Sequence, residues 1–395
     1  MISFDEALEL VRTAARPTEA EIVPISAAAG RVLAVPVIAR IASPRCDVSA
    51  MDGFAVRDAD LANLPARLEV IGESFAGAGW TGTFGPGECV RIFTGAPVPK
   101  GADRVVMQEH VRAEDRFALF EQEAGEALHI RERGGDFDEG EHLLPAGRTL
   151  DKRAIVAAAG ADVDRLEVHR RPRVFILSTG DELAEPGTAS AKPDSVPDSV
   201  SLGIASLAAT RGAEVVGRTR LRDDLAELEA AAAKAVACAD VVVVTGGASV
   251  GERDYAKRMF EPLGLDLIFS KVSIKPGKPV WLGRVGSTLV MGLPGNPSSA
   301  LVTARLLLEP LLAAISGGRA EDALRWRSAP LALPLAVCGG RQTFHRAQWS
   351  DDQVEILGFQ DSSAQRALAQ AELLVRQRAH SPALSAGASV EVLDF

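Results

Sequence analysis

The residues of this chain able to do chemistry are acids, lysines and glycines, gathered in a few short segments. The tightest is Ile274-Lys275-Pro276-Gly277-Lys278-Pro279, where proline and glycine frame two lysines on a stiff turn. A fixed backbone lets both ammonium groups converge on one oxyanion at little entropic cost. A second anion candidate is Gly292-Leu293-Pro294-Gly295-Asn296-Pro297-Ser298-Ser299. Asn296 stands where a helix cap would, Pro297 at the first helical position, and the hydroxyls of Ser298 and Ser299 join free N–H groups there. A plain capped turn is the other use of the same residues. Thr245-Gly246-Gly247 closes the apolar run DVVVVT and leads through Ser249 and Gly251 to Asp254. Glycines at a strand end admit a ligand close to backbone N–H groups, although a Gly-Gly pair also simply reverses a chain.

Acids recur at comparable places. Thr179-Gly180-Asp181-Glu182 follows one apolar run, Asp223-Asp224 opens a helical one, and Asp254 falls in the first turn of another. Carboxylates crowded together repel by about 4 kcal/mol per pair at 4 Å and an effective dielectric of 20, so such a cluster calls for a cation. Oxygen-only ligands near phosphate point to Mg²⁺; separate helix-capping acids are the alternative. Other chemistries find little support. The four cysteines (Cys46, Cys89, Cys238, Cys338) never form a CxxC pair, the six histidines make no zinc pattern, and aromatics are only 5%. With 43 basic and 53 acidic residues the net charge is −10, which argues against nucleic-acid and membrane partners. An acidic, amphipathic start is unlike a secretion signal, and no uninterrupted apolar stretch approaches the ~18 residues a membrane span needs. The expectation is a cytoplasmic protein with unpaired thiols.

The elements that must position these residues follow from periodicity. Ser3 with Glu6 reads as a capping box for a first helix carrying Phe4, Leu8, Val11 and Ala15. From about 21 to 171 short β-type runs alternate with Gly and Pro signals, with a helix near 152–159. Between 173 and 318 strands and helices alternate: strands at 173–178, 214–219, 240–245, 267–269, 280–282 and 288–291, helices at 199–210, 223–238, 253–263 and 297–315. That alternation predicts a doubly wound parallel sheet with ligands at the carboxyl ends of its strands. After residue 328 the texture is β again.

In order and spacing, the strings SPRCDVSAMDGFAVR, RIFTGAPVPKGADRVVMQE, RGGDFDEG, FILSTGDEL, TGGASVGERDY, IKPGKP and GLPGNPSSA resemble the molybdopterin molybdenumtransferase family, MoeA and the gephyrin E domain. The resemblance covers essentially the whole chain. It implies a multidomain α/β plus β architecture: a central doubly wound parallel α/β domain of the molybdopterin-binding type, flanked by β-rich domains and a C-terminal β-barrel-like domain. The matching boundaries are 1–25, 44–60 and 135–172 for an elongated linker domain, 26–43 and 61–134 for a β-rich domain, 173–318 for the α/β domain and 319–395 for the last.

The resemblance further implies insertion of molybdenum from molybdate into adenylyl-molybdopterin with Mg²⁺-dependent release of AMP. The protein would be an elongated homodimer whose cleft joins the α/β domain of one subunit to the β domain of the other. Molybdopterin adenylyltransferase and molybdoenzyme maturation proteins are the partners it suggests. Matching catalytic positions are Asp52, Thr94, Asp136, Glu182, Asp223 and Asp254, the last three also as metal ligands. Lys275, Lys278 and Ser299, with Arg341 and Ser362, match molybdate-binding positions. Thr179, Gly180, Gly246, Gly247, Ser249, Gly251, Pro294, Gly295 and Asn296 match the cofactor-binding loops. Two departures stand out: Val200 where the family has Asn, and Phe54 where Tyr is usual. An adenylyltransferase or nucleotide pyrophosphatase sharing the α/β domain, and a non-catalytic scaffold of the same fold, are the competing readings.

Overall fold

The computed structural model describes residues 1–191, 193–246 and 255–395. Its central sheet has six strands, with Arg173–Thr179 between Glu214–Leu221 and Val241–Thr245, and Thr288–Leu293 next to the latter. These four pair in parallel. Trp281–Val285 and Asp266–Phe269 then extend the sheet antiparallel, which corrects the expectation of a wholly parallel sheet. The reason is the connection. Only Gly286 and Ser287 separate Trp281–Val285 from Thr288–Leu293, and so short a link makes a hairpin, never a crossover.

Valines 241–244 are completely buried because helices cover both faces. On one face lie Val200–Thr210 and the helix beginning at Pro297; on the other lies Leu225–Cys238. The helical stretch Pro297–Ile315 is long and apolar enough to cross a membrane, but 83% of its apolar window is buried inside the protein, so it is a core helix. Its middle turn, Ala304–Leu308, is π-helical and faces an ion cluster. There Glu309 meets Arg305 at 3.0 Å and also Arg211, while Arg305 donates to the carbonyls of Asp394 (2.7 Å) and Ala323 (2.8 Å). Burial raises the Glu309 carboxyl above its ordinary value and lowers the Arg305 guanidinium. Glu309→Ala strands a buried guanidinium, so a loss of about 3 kcal/mol is expected in urea denaturation, with Glu309→Gln costing less.

Of the helix expected at 253–263, the described part is α-helical over Tyr255–Arg258 and a 3-10 turn over Glu261–Leu263. The first helix, Phe4–Ala14, does carry the Ser3–Glu6 capping box. It inserts Phe4, Ala7, Val11 and Ala14 into the core of the α/β domain, and Phe4 packs edge-on against Phe344 of the last domain. Placing the whole of 1–25 in the linker domain is therefore corrected for this helix.

Two further segments exchange domains relative to expectation. Gly53–Val56, assigned to the linker by the 44–60 boundary, is central in a six-stranded sheet between Glu88–Ile92 and Arg104–Met107. Conversely, Ala28, Leu33, Val37 and Ala39 of 26–43 pack with Leu150, Ala154 and Leu166, away from the β-rich domain. Both short segments are apolar, and only their distant partners decide which core takes them. In the C-terminal domain the sheet runs through Gln342–Ser350, Leu373–Gln377, Ser389–Asp394 and Arg327–Pro330, with Gln353–Ile356 on the outer side of Gln342–Ser350. A bridge from Leu331 to Val354 brings the two ends together as a barrel-like closure. All four cysteines are free thiols.

Candidate active site

Neighbouring parallel strands end at Thr179, Thr245 and Leu293, so their loops open side by side. Gly246, at φ +91°, lies so near Thr179 that a Cβ on it would sit 2.4 Å from the Thr179 carbonyl oxygen. A Cβ on Gly295 would in turn reach within 3.4 Å of Gly246 Cα. Three predicted loop positions thus form one surface of bare backbone, to which a ligand can come close. The Oγ1 of Thr179 is buried there with no hydrogen-bond partner among the described residues. Glu182 is exposed and Asp223 half-buried, and the Asp223 N–H donates to Asp181 Oδ1 at 3.2 Å. Among the described residues no group of three His, Cys, Asp or Glu side chains is assembled for a metal. Asp254, Gly247, Ser249 and Gly251 lie outside the described residues.

The lysine turn meets the C-terminal domain. Ile274–Lys275 adds a parallel edge to that domain's sheet, with Lys275 opposite Thr343. Arg341 donates from Nη1 to the Ile274 carbonyl at 3.4 Å. Gly277, at φ +105°, presses on Thr303, whose Cγ2 would be 2.1 Å from a Cβ; Thr303 Oγ1 in turn donates to the Ser299 carbonyl at 2.6 Å. At the start of the same helix Asn296 Nδ2 donates to Ser362 Oγ at 3.0 Å, and the Ser298 N–H donates to the Ser362 carbonyl at 3.0 Å. Lys275, Lys278, Ser299, Arg341 and Ser362 therefore share one seam between two domains. Among the described residues, none of the three cations has a carboxylate partner.

Beside Lys275 and Arg341 lies a pocket of about 480 Å³ whose wall includes Cys338, Thr343, His345 and Gln377. His345 Nε2 lies 2.9 Å from Gln377 Oε1, and Gln377 Nε2 donates to the Ala336 carbonyl at 2.7 Å. The amide orientation makes His345 Nε2 the donor. Burial lowers the His345 pKa against the opposing hydrogen bond to Gln377, and the charges of Lys275 and Arg346 add to the lowering. Sequence reasoning missed these four residues because no local motif distinguishes them.

On the β-rich domain, Asp52 Oδ1 accepts from both the N–H and the hydroxyl of Thr94, each at 2.7 Å. These two bonds hold the Asp52 carboxyl below its ordinary value. The sign follows: the interaction is present above the unfolded-state pKa and is lost as pH falls through the lower folded one. Asp136 is exposed; its N–H donates to the Ser43 carbonyl at 2.9 Å, and it is not bonded to the Asp52–Thr94 pair.

A curated molybdopterin molybdenumtransferase of Haemophilus influenzae is 34% identical over 100% of this chain and 99% of its own. The chain belongs to the molybdopterin molybdenumtransferase family. Family models agree along its length: the MoeA N-terminal region (domain I and II) at 2–161, a probable molybdopterin binding domain at 175–314 and the MoeA C-terminal region (domain IV) at 328–395. A Nostoc molybdopterin molybdenumtransferase is 38% identical over 76% of this chain and 70% of its own. The crystal structure of a molybdopterin biosynthesis MoeA protein of Pyrococcus horikoshii matches with a TM-score of 0.83 at 30% identity, covering 100% and 99% of the two chains.

The two departures from the molybdenumtransferase pattern have structural accounts. Val200 is buried in the α/β core, and capping falls to Asp198, which accepts from the Ser201 N–H (3.2 Å) and hydroxyl (2.6 Å). Phe54 is buried edge-on to Phe120, with ring centroids 6.2 Å apart. A hydroxyl on that ring is not needed for packing.

Proposed function

We propose that this protein transfers molybdenum from molybdate into adenylylated molybdopterin and releases AMP, acting in the cytoplasm as a homodimer. The observation that carries the reading is the seam of Lys275, Lys278 and Arg341, which have no carboxylate partner among the described residues, with Ser299 and Ser362 on the same seam. Molybdate is a tetrahedral dianion. Two ammonium groups match its charge through charge-assisted bonds, and hydroxyl and backbone N–H donors match its directions. The glycine surface at Thr179, Gly180, Gly246 and Gly295 receives the adenylate end. Molybdopterin adenylyltransferase would supply the substrate, and molybdoenzyme maturation proteins would take the product.

The side chains this reading assigns to a hard cation are all oxygen donors, as such a cation requires. Asp223 and Glu182, with Asp254, would hold Mg²⁺, which when bound neutralises charge on the phosphate of the departing AMP.

The test is incubation with adenylyl-molybdopterin, Mg²⁺ and molybdate while AMP is followed. Molybdate-dependent AMP release is expected. Molybdate-independent consumption of ATP would instead favour an adenylyltransferase, and tight substrate binding without turnover a scaffold.

A further inference from the structure

Aromatic residues are scarce in this chain, yet three of its phenylalanines gather beside Asp52. The Arg91 guanidinium carbon lies 4.9 Å from the centroid of the Phe54 ring and 5.0 Å from that of Phe93. Phe93 stacks on Phe75 with centroids 4.6 Å apart and planes 11° from parallel. The four side chains thus form a column of successive contacts, Phe54 to Arg91, Arg91 to Phe93 and Phe93 to Phe75. Its inner end is buried, whereas Phe75 is 43% exposed.

The column is held firmly. Arg91 Nη1 donates to the Gly53 carbonyl at 3.0 Å, and its Nη2 is bonded to Gln108 Oε1. Phe75 begins a tight turn in which its N–H and carbonyl both bond Ala78, at 3.1 and 3.0 Å. That turn leans on the Thr94–Gly95 loop, since a Cβ on Gly95 would be 3.8 Å from Ala76 Cβ. The exposed ring and Asp52 thus stand on adjoining loops. Asp52 uses Oδ1 for Thr94, and among the described residues no donor bonds its Oδ2.

We infer that the open face of Phe75 and the carboxylate of Asp52 form a subsite for a planar heterocycle with adjacent N–H donors, the 2-amino-4-oxopyrimidine ring of a pterin. Stacking on an aromatic face accepts any flat ring. The carboxylate only accepts, and its Oδ2, with lone pairs for two donors, suits an amino group beside a ring N–H. Adenine lacks that edge: its amino group lies next to an acceptor nitrogen. Guanine shares the edge, and the proposed substrate selects the pterin between them. The inference rests on the function proposed above and adds to it the group that the β-rich domain reads.

The probe is pterin itself, titrated by its fluorescence into the full-length protein, with guanosine and adenosine as comparisons. Pterin is expected to bind more tightly than guanosine, and adenosine weakest. Phe75→Ala should weaken pterin binding about tenfold, as loss of one stacking ring does. Phe75→Trp should restore it, and Asp52→Asn should weaken pterin without changing adenosine. Because Phe75 is an exposed turn residue, the alanine variant retains its fold, which circular dichroism checks. Unchanged pterin affinity in Phe75→Ala, absence of pterin binding, or a preference for guanosine or adenosine would each overturn the inference. Molybdate-dependent AMP release separates the two levels. If the unaltered protein turns over and Phe75→Ala keeps the same KM for adenylyl-molybdopterin, only the subsite is wrong. If the unaltered protein releases no AMP, the function itself is wrong.

Discussion

Replacing Lys275 and Lys278 together by alanine raises the molybdate needed for half-maximal AMP release by roughly 100-fold or more, since each charge-assisted bond contributes about 1.5–3 kcal/mol. Both side chains are exposed on a turn braced by Gly277 against Thr303, so the loss falls on the anion and not on the fold. Binding of adenylyl-molybdopterin, measured separately by calorimetry, stays within a few-fold. Sulfate has the same shape and charge and competes in the unaltered protein; that competition weakens in the double variant. Normal molybdate dependence in the double variant would place the oxyanion elsewhere.

Subunits that are inactive singly regain activity when mixed, if the site is shared between two copies. Asp52 bonds to Thr94 within the β-rich domain, while Lys275 pairs with the C-terminal sheet. In a two-fold dimer the cleft of one copy is completed by the other. Asp52→Ala mixed with Lys275→Ala/Lys278→Ala then gives heterodimers in which one cleft carries all the lesions and the other none. With equal, fully exchanged subunits, about a quarter of the original AMP release is expected, half of the dimers being mixed and each having one working cleft. No recovery in heterodimers verified by mass spectrometry would mean that each chain contains its own complete site.

Much of the site was legible because its signals are local. The Pro-Gly frame around Lys275 and Lys278, the Asn296-Pro297 helix start and the glycines after Thr179 and Thr245 act over four or five residues. The capping box at Ser3 is equally local and is present. The elements around them were legible for the same reason, since burial on one face repeats every two residues in a strand and about every 3.6 in a helix.

What the sequence by itself determined was therefore the family, the alternation of strands and helices, and the residues that could carry charge to an anion. Tertiary structure alone decided that Ile274–Lys275 joins the C-terminal sheet, which places Arg341 against the lysine turn. It decided that 53–56 and 26–43 exchange domains and that the last two strands of the central sheet run antiparallel. It brought His345 to Gln377, and Phe75 to Phe93, from different strands and loops. The physical reason is common to all of these. A short apolar segment states that it must be buried but not against what, and the choice among distant partners is made by the packing and pairing of the whole chain.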